Sequence, residues 1–142
     1  MKRKKILIVD DEASFTSLLK LNLEQTDDYE VKVENGAERA VAAARAFKPD
    51  LILLDVVMPG LFGSEVAARL RASDTTKSIP VVLLSAAVSR KSVDEKLGHV
   101  GGFPFIGKPA SLDEIVEGIE GELAIPSLYP KMQNAAGVVS AL

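Results

Sequence analysis

Residues 51–60 read LILLDVVMPG, an apolar run that holds one carboxylate, Asp55, and ends in a Pro-Gly pair that predicts a turn. Short apolar runs of this kind are typical of strands buried on both faces of a parallel sheet. A carboxylate buried there without compensation is costly and tends to stay protonated. Asp55 therefore either has partners or carries out chemistry, and the other segments of the chain decide between the two.

The composition is that of one globular domain. The 142 residues are 47% hydrophobic and 26% charged, which is enough for a single substantial core. Cysteine is absent, so disulfides, thiolate nucleophiles and thiolate metal sites are excluded. The net charge of -3 offers no basic surface for nucleic acid, and no apolar run reaches the roughly 18 residues of a membrane helix. Because the apolar run after the basic residues 2–5 is too short for a signal peptide, we expect a cytoplasmic protein that contacts neither nucleic acid nor a membrane.

Strand and helix patterns alternate along the chain. Apolar runs at residues 5–10, 50–55, 80–85 and 103–106 predict buried strands, and the alternation at 29–33 predicts a strand with one exposed face or at a sheet edge. Apolar stripes within residues 15–23, 37–44, 66–70 and 112–123 predict four helices. Ser111, with Glu114 three residues later, predicts the cap of the last of these. The polar segment at 89–97 predicts a further helix that is only weakly anchored to the core. This alternation predicts an α/β fold with a doubly wound parallel sheet and helices on both faces.

Polar side chains follow four of the predicted strands. Asp10 and Asp11 end the first, Asp55 ends the third, Ser85 ends the fourth, and Lys108 follows the fifth. Since the carboxyl ends of parallel strands meet at one rim of the sheet, we expect these groups to lie close together. Three neighbouring carboxylates repel one another unless a cation joins them, and an open oxygen-only site favours Mg²⁺.

Each of these residues also has an ordinary structural interpretation. Asp10 or Asp11 could cap the first helix, Ser85 could be a common strand-end hydroxyl, and Lys108 could be a solvated loop lysine. The coincidence of four strand ends at one rim favours a functional site over these alternatives.

The motifs ILIVDDE (6–12), LILLDVVMPGLFGSEVAARLR (51–71), IPVVLLSA (79–86) and FPFIGKPASLDEI (103–115) together resemble the receiver domain of two-component response regulators. The resemblance covers residues 4–123, nearly the whole chain. It implies a flavodoxin-like sheet of five parallel strands in the order 2-1-3-4-5. We accordingly expect a receiver domain at residues 1–123 and a C-terminal tail or linker at 124–142.

The resemblance implies a role for each rim residue. Asp55 would accept a phosphoryl group from a histidine kinase or a histidine phosphotransfer protein, which makes the chain a switch that takes part in its own phosphorylation rather than an enzyme. Ser85 and Lys108 would bind the phosphoryl oxygens, and Phe105 would be the aromatic residue that changes rotamer. Mg²⁺ would be held by Asp10, Asp11, Asp55 and the backbone carbonyl of Val57.

The same resemblance implies a surface that responds to phosphorylation. Movement of Ser85 would leave space for Phe105 and couple the site to residues 89–97, to the fifth strand and to the last helix. This face would bind a downstream protein target or a second copy of the chain.

Four features depart from the family pattern or need comment. Phe105 lacks the hydroxyl of the tyrosine common there, and Pro104 suits an edge strand because it has no N–H to donate. The Lys108–Pro109 bond is a candidate cis peptide. His99 falls in a glycine-rich loop and is interpreted as a surface residue rather than a ligand or phosphodonor.

Two other functions are compatible with some of these residues. Aspartate-nucleophile phosphohydrolases also use a metal-bound Asp at a strand end, but they need a second acid two residues later, where this chain has Val57. A receiver that binds partners without taking up phosphate is the other alternative, and indifference to Mg²⁺ would favour it.

Overall fold

A single parallel sheet organises the protein, for which a computed structural model describes residues 2–85, 99–100, 103–108 and 110–124. Five parallel strands have the spatial order β2-β1-β3-β4-β6, which confirms the predicted order 2-1-3-4-5. A sixth strand, β5, pairs antiparallel with the outer side of β6. The strands are β1 (Lys4–Val9), β2 (Tyr29–Glu34), β3 (Leu51–Asp55), β4 (Val81–Ser85), β5 (His99–Val100) and β6 (Phe103–Gly107).

Helices follow the strands as predicted from the alternating pattern. A short 3₁₀ turn at Ala37–Arg39 leads into the second helix. The predicted helix at 89–97 lies outside the described residues, as does most of the predicted tail at 124–142. No helix in the described ranges is long and apolar enough to cross a membrane. The helices are α1 (Ala13–Glu24), α2 (Ala40–Phe47), α3 (Gly63–Ala72) and α4 (Leu112–Ala124).

Two hydrophobic cores cover the two faces of the sheet. Leu7 and Val9 of β1 face the core shared with α2 and α3, whereas Ile6 and Ile8 face the core shared with α1 and α4. Residues 51–54 of β3 divide between the same two cores and are fully buried. Because both faces of these strands are covered, their sequences are continuously apolar.

The predicted apolar stripes are buried or partly buried, with one exception. Leu18 of α1 is 59% exposed, although the sequence placed it with Phe15, Leu19 and Leu23 on the core face. At about 100° per residue, Leu18 lies to one side of the line through the other three. It borders a shallow groove between α1 and α4.

The start of α4 has the predicted cap. The hydroxyl of Ser111 accepts the backbone N–H of Glu114 at 3.1 Å and donates to the Glu114 carboxylate at 3.3 Å. Both interactions satisfy groups at the first turn of a helix that would otherwise rely on water. They fix where α4 begins, five residues after the last residue of β6.

The outer edge of the sheet differs from the prediction. β6 is not the outermost strand, because β5 pairs with it and sets His99 opposite Pro104. His99 therefore lies in a strand, not in the expected glycine-rich loop. A two-residue strand is below the length at which apolar periodicity can be read, and the proline contributes no N–H to this ladder. At the opposite edge, β2 has the predicted alternation of buried and exposed residues.

The segment after β3 is held close to the strand end by Gly63. Its N–H donates to the carbonyl of Val56 at 2.7 Å, and a Cβ at this position would overlap the carbonyl oxygen of Asp55. The preceding turn passes through Gly60, whose φ of 85° suits glycine. The first turn of α3 is therefore packed directly against the backbone of Asp55.

The Gly63→Ala variant should be less stable than the wild type by about 1–3 kcal/mol, because the added methyl group meets backbone atoms that cannot rotate away. Urea denaturation followed by circular dichroism measures this. Gly107→Ala is the matched control, since a Cβ there has nothing within 4 Å, and its stability should change by less than about 0.5 kcal/mol. Equal effects of the two substitutions would contradict the proposed close approach.

One carboxyl group lies inside the packing of α4. Glu122 is 4% exposed and shares the inward face of the helix with Ile115 and Ile119. Within the described part of the chain, its Oε2 has no hydrogen-bond partner. Burial raises the pKa of Glu122 from 4.5 to about 7. The sequence pattern did not identify this residue, because Glu122 occupies a position that the helical spacing would assign to an apolar side chain.

Glu122 should make the protein less stable as the pH rises. Between pH 4.5 and about 7 the folded state keeps the Glu122 proton that the unfolded state releases, so the free energy of unfolding falls with increasing pH. Glu122→Gln removes this loss, and its stability relative to the wild type should grow across that window by up to about 3 kcal/mol. Denaturation at several pH values measures the difference. Glu117→Gln, an exposed position on the same helix, is the control, and parallel profiles for all three proteins would contradict the expectation.

Candidate functional site

Three carboxylates meet at the carboxyl end of the sheet. Asp10 and Asp11 follow β1, Asp55 ends β3, and one carboxylate oxygen from each of the three lies within 4.8 Å of the other two. Asp10 and Asp55 are buried, whereas Asp11 is exposed. The structure thus brings together the three acids that the strand pattern placed on one rim.

Backbone and side-chain hydrogen bonds fix the orientation of Asp10. Its N–H donates to the Glu34 carbonyl at 3.1 Å, and its own carbonyl accepts the Asn35 amide at 2.7 Å. Asn35 also donates to the hydroxyl of Thr16 in α1 at 3.1 Å. Asp10 Oδ1 accepts the N–H of Glu12 at 2.9 Å and so closes a turn just before α1. The N-cap of α1 is Glu12, without a side-chain cap hydrogen bond, so the interpretation of Asp10 or Asp11 as a helix cap is wrong. Asp10 Oδ2 remains directed toward a different partner.

That partner is Lys108, which follows β6. The Lys108 ammonium lies 2.6 Å from Asp10 Oδ2 and 3.1 Å from Glu12 Oε1, and 4.1 Å from the centre of the Phe15 ring. Its side chain is only 11% exposed, so the interpretation of Lys108 as a solvated loop lysine is wrong. Burial alone would lower the pKa of Lys108, but the hydrogen bonds to Asp10 and Glu12, together with the charges of Asp10 and Asp55, raise the pKa above its usual value.

Asp55 occupies the last position of β3. In the neighbouring strand its register partner is Leu84, which precedes Ser85. The N–H of Val57 lies 3.5 Å from Asp55 Oδ1, and the Val57 side chain is 47% exposed beside the site. The backbone on the other side of Asp55 is fixed by the contact with Gly63. Asp55 is thereby held at the mouth of the sheet rather than in its interior.

The remaining predicted residues lie around this mouth. Ser85 is the last residue of β4 and pairs in register with Gly107, but its side chain is outside the described part of the structure. Phe105 is 7% exposed and packs in the core with Leu83, its register partner in β4. Pro109, the second residue of the candidate cis peptide, also lies outside the described residues.

Sequence reasoning missed two contacts of the site. Glu12 and Phe15 both touch Lys108, yet Glu12 reads as the residue before a helix and Phe15 as part of an apolar stripe. Phe15 does pack at the margin of the core between α1 and α4, so its assignment to the apolar stripe of α1 is correct. Only the folded arrangement brings the first turn of α1 beside the residue that follows β6.

The donor set fits a hard divalent cation. The cluster consists of carboxylate oxygens, two of them buried and one exposed, which leaves one side open to water. Oxygen ligands with an open side are the set that Mg²⁺ prefers, because it keeps several waters. The arrangement also places an ammonium beside a carboxylate that could act as a nucleophile, which is the combination needed for transfer of a phosphoryl group.

Comparisons with known proteins assign a family. The family model described as "Response regulator receiver domain" matches residues 6–120. The alkaline phosphatase synthesis transcriptional regulatory protein PhoP of Bacillus subtilis is 36% identical over 142 residues, covering 96% of this chain and 57% of PhoP. The chain spans about half the length of the curated relatives it matches.

Solved structures have the same fold. A response regulator from Chloroflexus aurantiacus superposes with a TM-score of 0.74 at 29% identity, over 87% of this chain and 99% of that one. The chemotaxis protein CheY4 of Vibrio cholerae superposes with a TM-score of 0.72 at 26% identity, over 84% of this chain and 98% of that one.

Lys108→Met should lower the free energy of unfolding by about 3 kcal/mol, because it leaves the buried Asp10 carboxylate without its positive partner. Chemical denaturation at neutral pH and low metal concentration measures the loss. Lys77→Met is the matched control: Lys77 also pairs with an aspartate, Asp74, but both side chains are exposed and the pair contributes less than about 1 kcal/mol. A Lys108→Met variant as stable as the control would mean that water alone compensates Asp10.

Proposed function

Because this chain belongs to the response regulator receiver domain family, we propose that it is a phosphorylation switch of a two-component or phosphorelay system. Its phosphoryl group would come from a histidine kinase or a histidine phosphotransfer protein and would be accepted by Asp55. The observation that carries this proposal is the convergence of three carboxylates within 4.8 Å with the Lys108 ammonium bound to one of them.

The proposed chemistry uses Asp55 as the nucleophile. An Asp55 carboxylate oxygen attacks phosphorus, a new O–P bond forms, and the P–N bond of the donor phosphohistidine breaks with its electron pair leaving on the imidazole nitrogen. A Mg²⁺ ion held by Asp10, Asp11, Asp55 and the carbonyl of Val57 would neutralise charge on the transferring oxygens. Lys108 supplies a second positive charge from the side of β6.

Lys108 has to change hydrogen-bond partners during this reaction. In the structure its ammonium is bound to Asp10 and Glu12. The incoming phosphoryl oxygens carry more negative charge than a single carboxylate, so they compete well for the ammonium. The ammonium lies 2.6 Å from Asp10, which has a carboxylate oxygen within 4.8 Å of one of Asp55, so the change requires only a short movement.

We propose that the effect of phosphorylation is transmitted to the surface through β4 and β6. The hydroxyl of Ser85, at the end of β4, would bind the phosphoryl oxygens and draw the strand end toward Asp55. Phe105 lies two residues before the position paired with Ser85 and is buried against Leu83, so displacement of β4 would alter its packing. Residues 89–97, β6 and α4 would then present a changed surface to a downstream protein or to a second copy of the chain.

The proposed organisation is a receiver domain at residues 1–123 followed by a C-terminal tail or linker at 124–142. Several relatives are transcriptional regulatory proteins by name, and this chain spans about half of their length. We therefore assign to the described residues only the receiving step. We propose that this part of the chain contacts proteins, rather than nucleic acid or a membrane, and that it acts in the cytoplasm.

Intact-mass spectrometry after incubation with acetyl phosphate tests the proposal. With Mg²⁺ present, the wild type should gain one phosphoryl group, and the gain should vanish on chelation. Asp55→Ala should show no gain because it lacks the nucleophile, whereas Asp74→Ala, at an exposed aspartate distant from the cluster, should behave as the wild type.

Two results would contradict the proposal. One is phosphorylation of Asp55→Ala to the same extent as the wild type, which would place the acceptor elsewhere. The other is a wild type that gains no mass and also fails to bind beryllofluoride with Mg²⁺. That result would favour a receiver that binds partners without taking up phosphate.

A further inference from the structure

We propose that Phe15 is a positioning residue for Lys108. Its aromatic ring holds the ammonium at the mouth of the sheet and keeps it there while the hydrogen bonds of Lys108 change from Asp10 and Glu12 to the phosphoryl oxygens. This inference rests on the proposed function, in which Lys108 binds those oxygens.

The contact is close and partly shielded from water. The Lys108 nitrogen lies 4.1 Å from the centre of the Phe15 ring, well inside the range of about 6 Å over which a cation is attracted to an aromatic face. With a side chain only 11% exposed, Lys108 has lost much of the water that would otherwise weaken this attraction. Among the described residues, the ammonium also contacts the carboxylates of Asp10 and Glu12.

The ring itself is held in place by the start of α1. Phe15 packs at the margin of the core between α1 and α4. The next residue, Thr16, donates its N–H to the Glu12 carbonyl at 3.0 Å, and its hydroxyl donates to the Ala13 carbonyl at 3.1 Å. Asn35 binds the same hydroxyl, which connects α1 to the end of β2. The Phe15 ring is therefore held in a fixed position, and the longer, more flexible side chain of Lys108 can pack against it.

A ring face suits this task better than another carboxylate. A hydrogen bond to Asp10 or Glu12 must break before the same N–H can reach a phosphoryl oxygen. Attraction to the ring depends on the position of the charge above the face and not on which acceptor each N–H uses. Phe15 can therefore hold the ammonium both before and after the exchange, and it adds no negative charge to a site that already has three carboxylates.

A second lysine–phenylalanine pair provides a matched control. Lys5 lies 5.1 Å from the ring of Phe47, at the opposite end of β1 from the carboxylate cluster. Phe47→Leu removes an aromatic contact of the same kind without touching the site. Phe15→Leu and Phe47→Leu are therefore the same chemical change at two positions, and Phe15→Tyr is the conservative variant that keeps a ring.

Two measurements on the full chain test the inference. The first is the NMR chemical shift of the Lys108 ε-methylene protons, assigned by its absence from Lys108→Arg, because a nearby ring face moves these signals upfield. The second is the rate of Mg²⁺-dependent phosphoryl uptake from acetyl phosphate, followed by intact mass. We expect Phe15→Leu to lose the upfield shift and to slow uptake by about fivefold, the factor that one partly desolvated cation–π contact supplies. Phe15→Tyr and Phe47→Leu should keep both properties.

The other outcomes contradict either the role of Phe15 or the proposed function. If Phe15→Leu loses the shift but takes up phosphate at the wild-type rate, or if Phe15→Tyr is as slow as Phe15→Leu, Phe15 contributes packing only and the inference is wrong. If the wild type takes up no phosphate, the proposed function is wrong. In that case the NMR shift alone decides the inference: loss in Phe15→Leu with retention in Phe15→Tyr supports positioning by the ring, and an unchanged shift in Phe15→Leu refutes it.

Discussion

Mutual repulsion among three carboxylates is the constraint on which the rest of the site depends. Asp10 and Asp55 are buried and Asp11 is exposed beside them, so their charges meet where water screens them poorly. The ammonium of Lys108 offsets part of this charge by binding Asp10. The remaining negative charge would attract a cation, and the same charge lowers the stability of the fold. The stability of the fold and the proposed chemistry therefore make opposite demands on this rim of the sheet.

The two apolar cores stabilise the fold against the repulsion among the three carboxylates. Strands β1 and β3 are buried on both faces, and they hold Asp10 and Asp55 at their ends with little freedom to separate. The close approach of Gly63 fixes the backbone of Asp55 from the side of α3. Moving the strands apart would relieve the repulsion, but it would expose apolar surface from both cores, and this exposure opposes the movement.

The sequence is informative where a local pattern determines the outcome. Continuous apolar runs indicate buried parallel strands, and the rule that parallel strand ends share a rim places Asp10 and Asp55 together without any knowledge of side-chain positions. Contacts between distant segments are not coded locally. Phe15 reads as a core residue because its position in the α1 stripe does not reveal that Lys108 will lie over its ring. β5 has only two residues, too few for a periodic pattern, and Glu122 occupies an inward position that spacing alone would assign to an apolar side chain.

The ion pair between Lys108 and Asp10 also bears on the order in which the chain can fold. Its partners are 98 positions apart in sequence, so the pair joins the first strand to the last of the parallel set. Contacts of such long range form only after the intervening loop has been closed, and that closure has an entropic cost. During synthesis, before β6 has left the ribosome, the chain therefore already contains the three aspartates but not yet Lys108. Repulsion within the acidic cluster opposes the pairing of β1 with β3, and Lys108 relieves part of it only once β6 is in place, so completion of the sheet stabilises this rim.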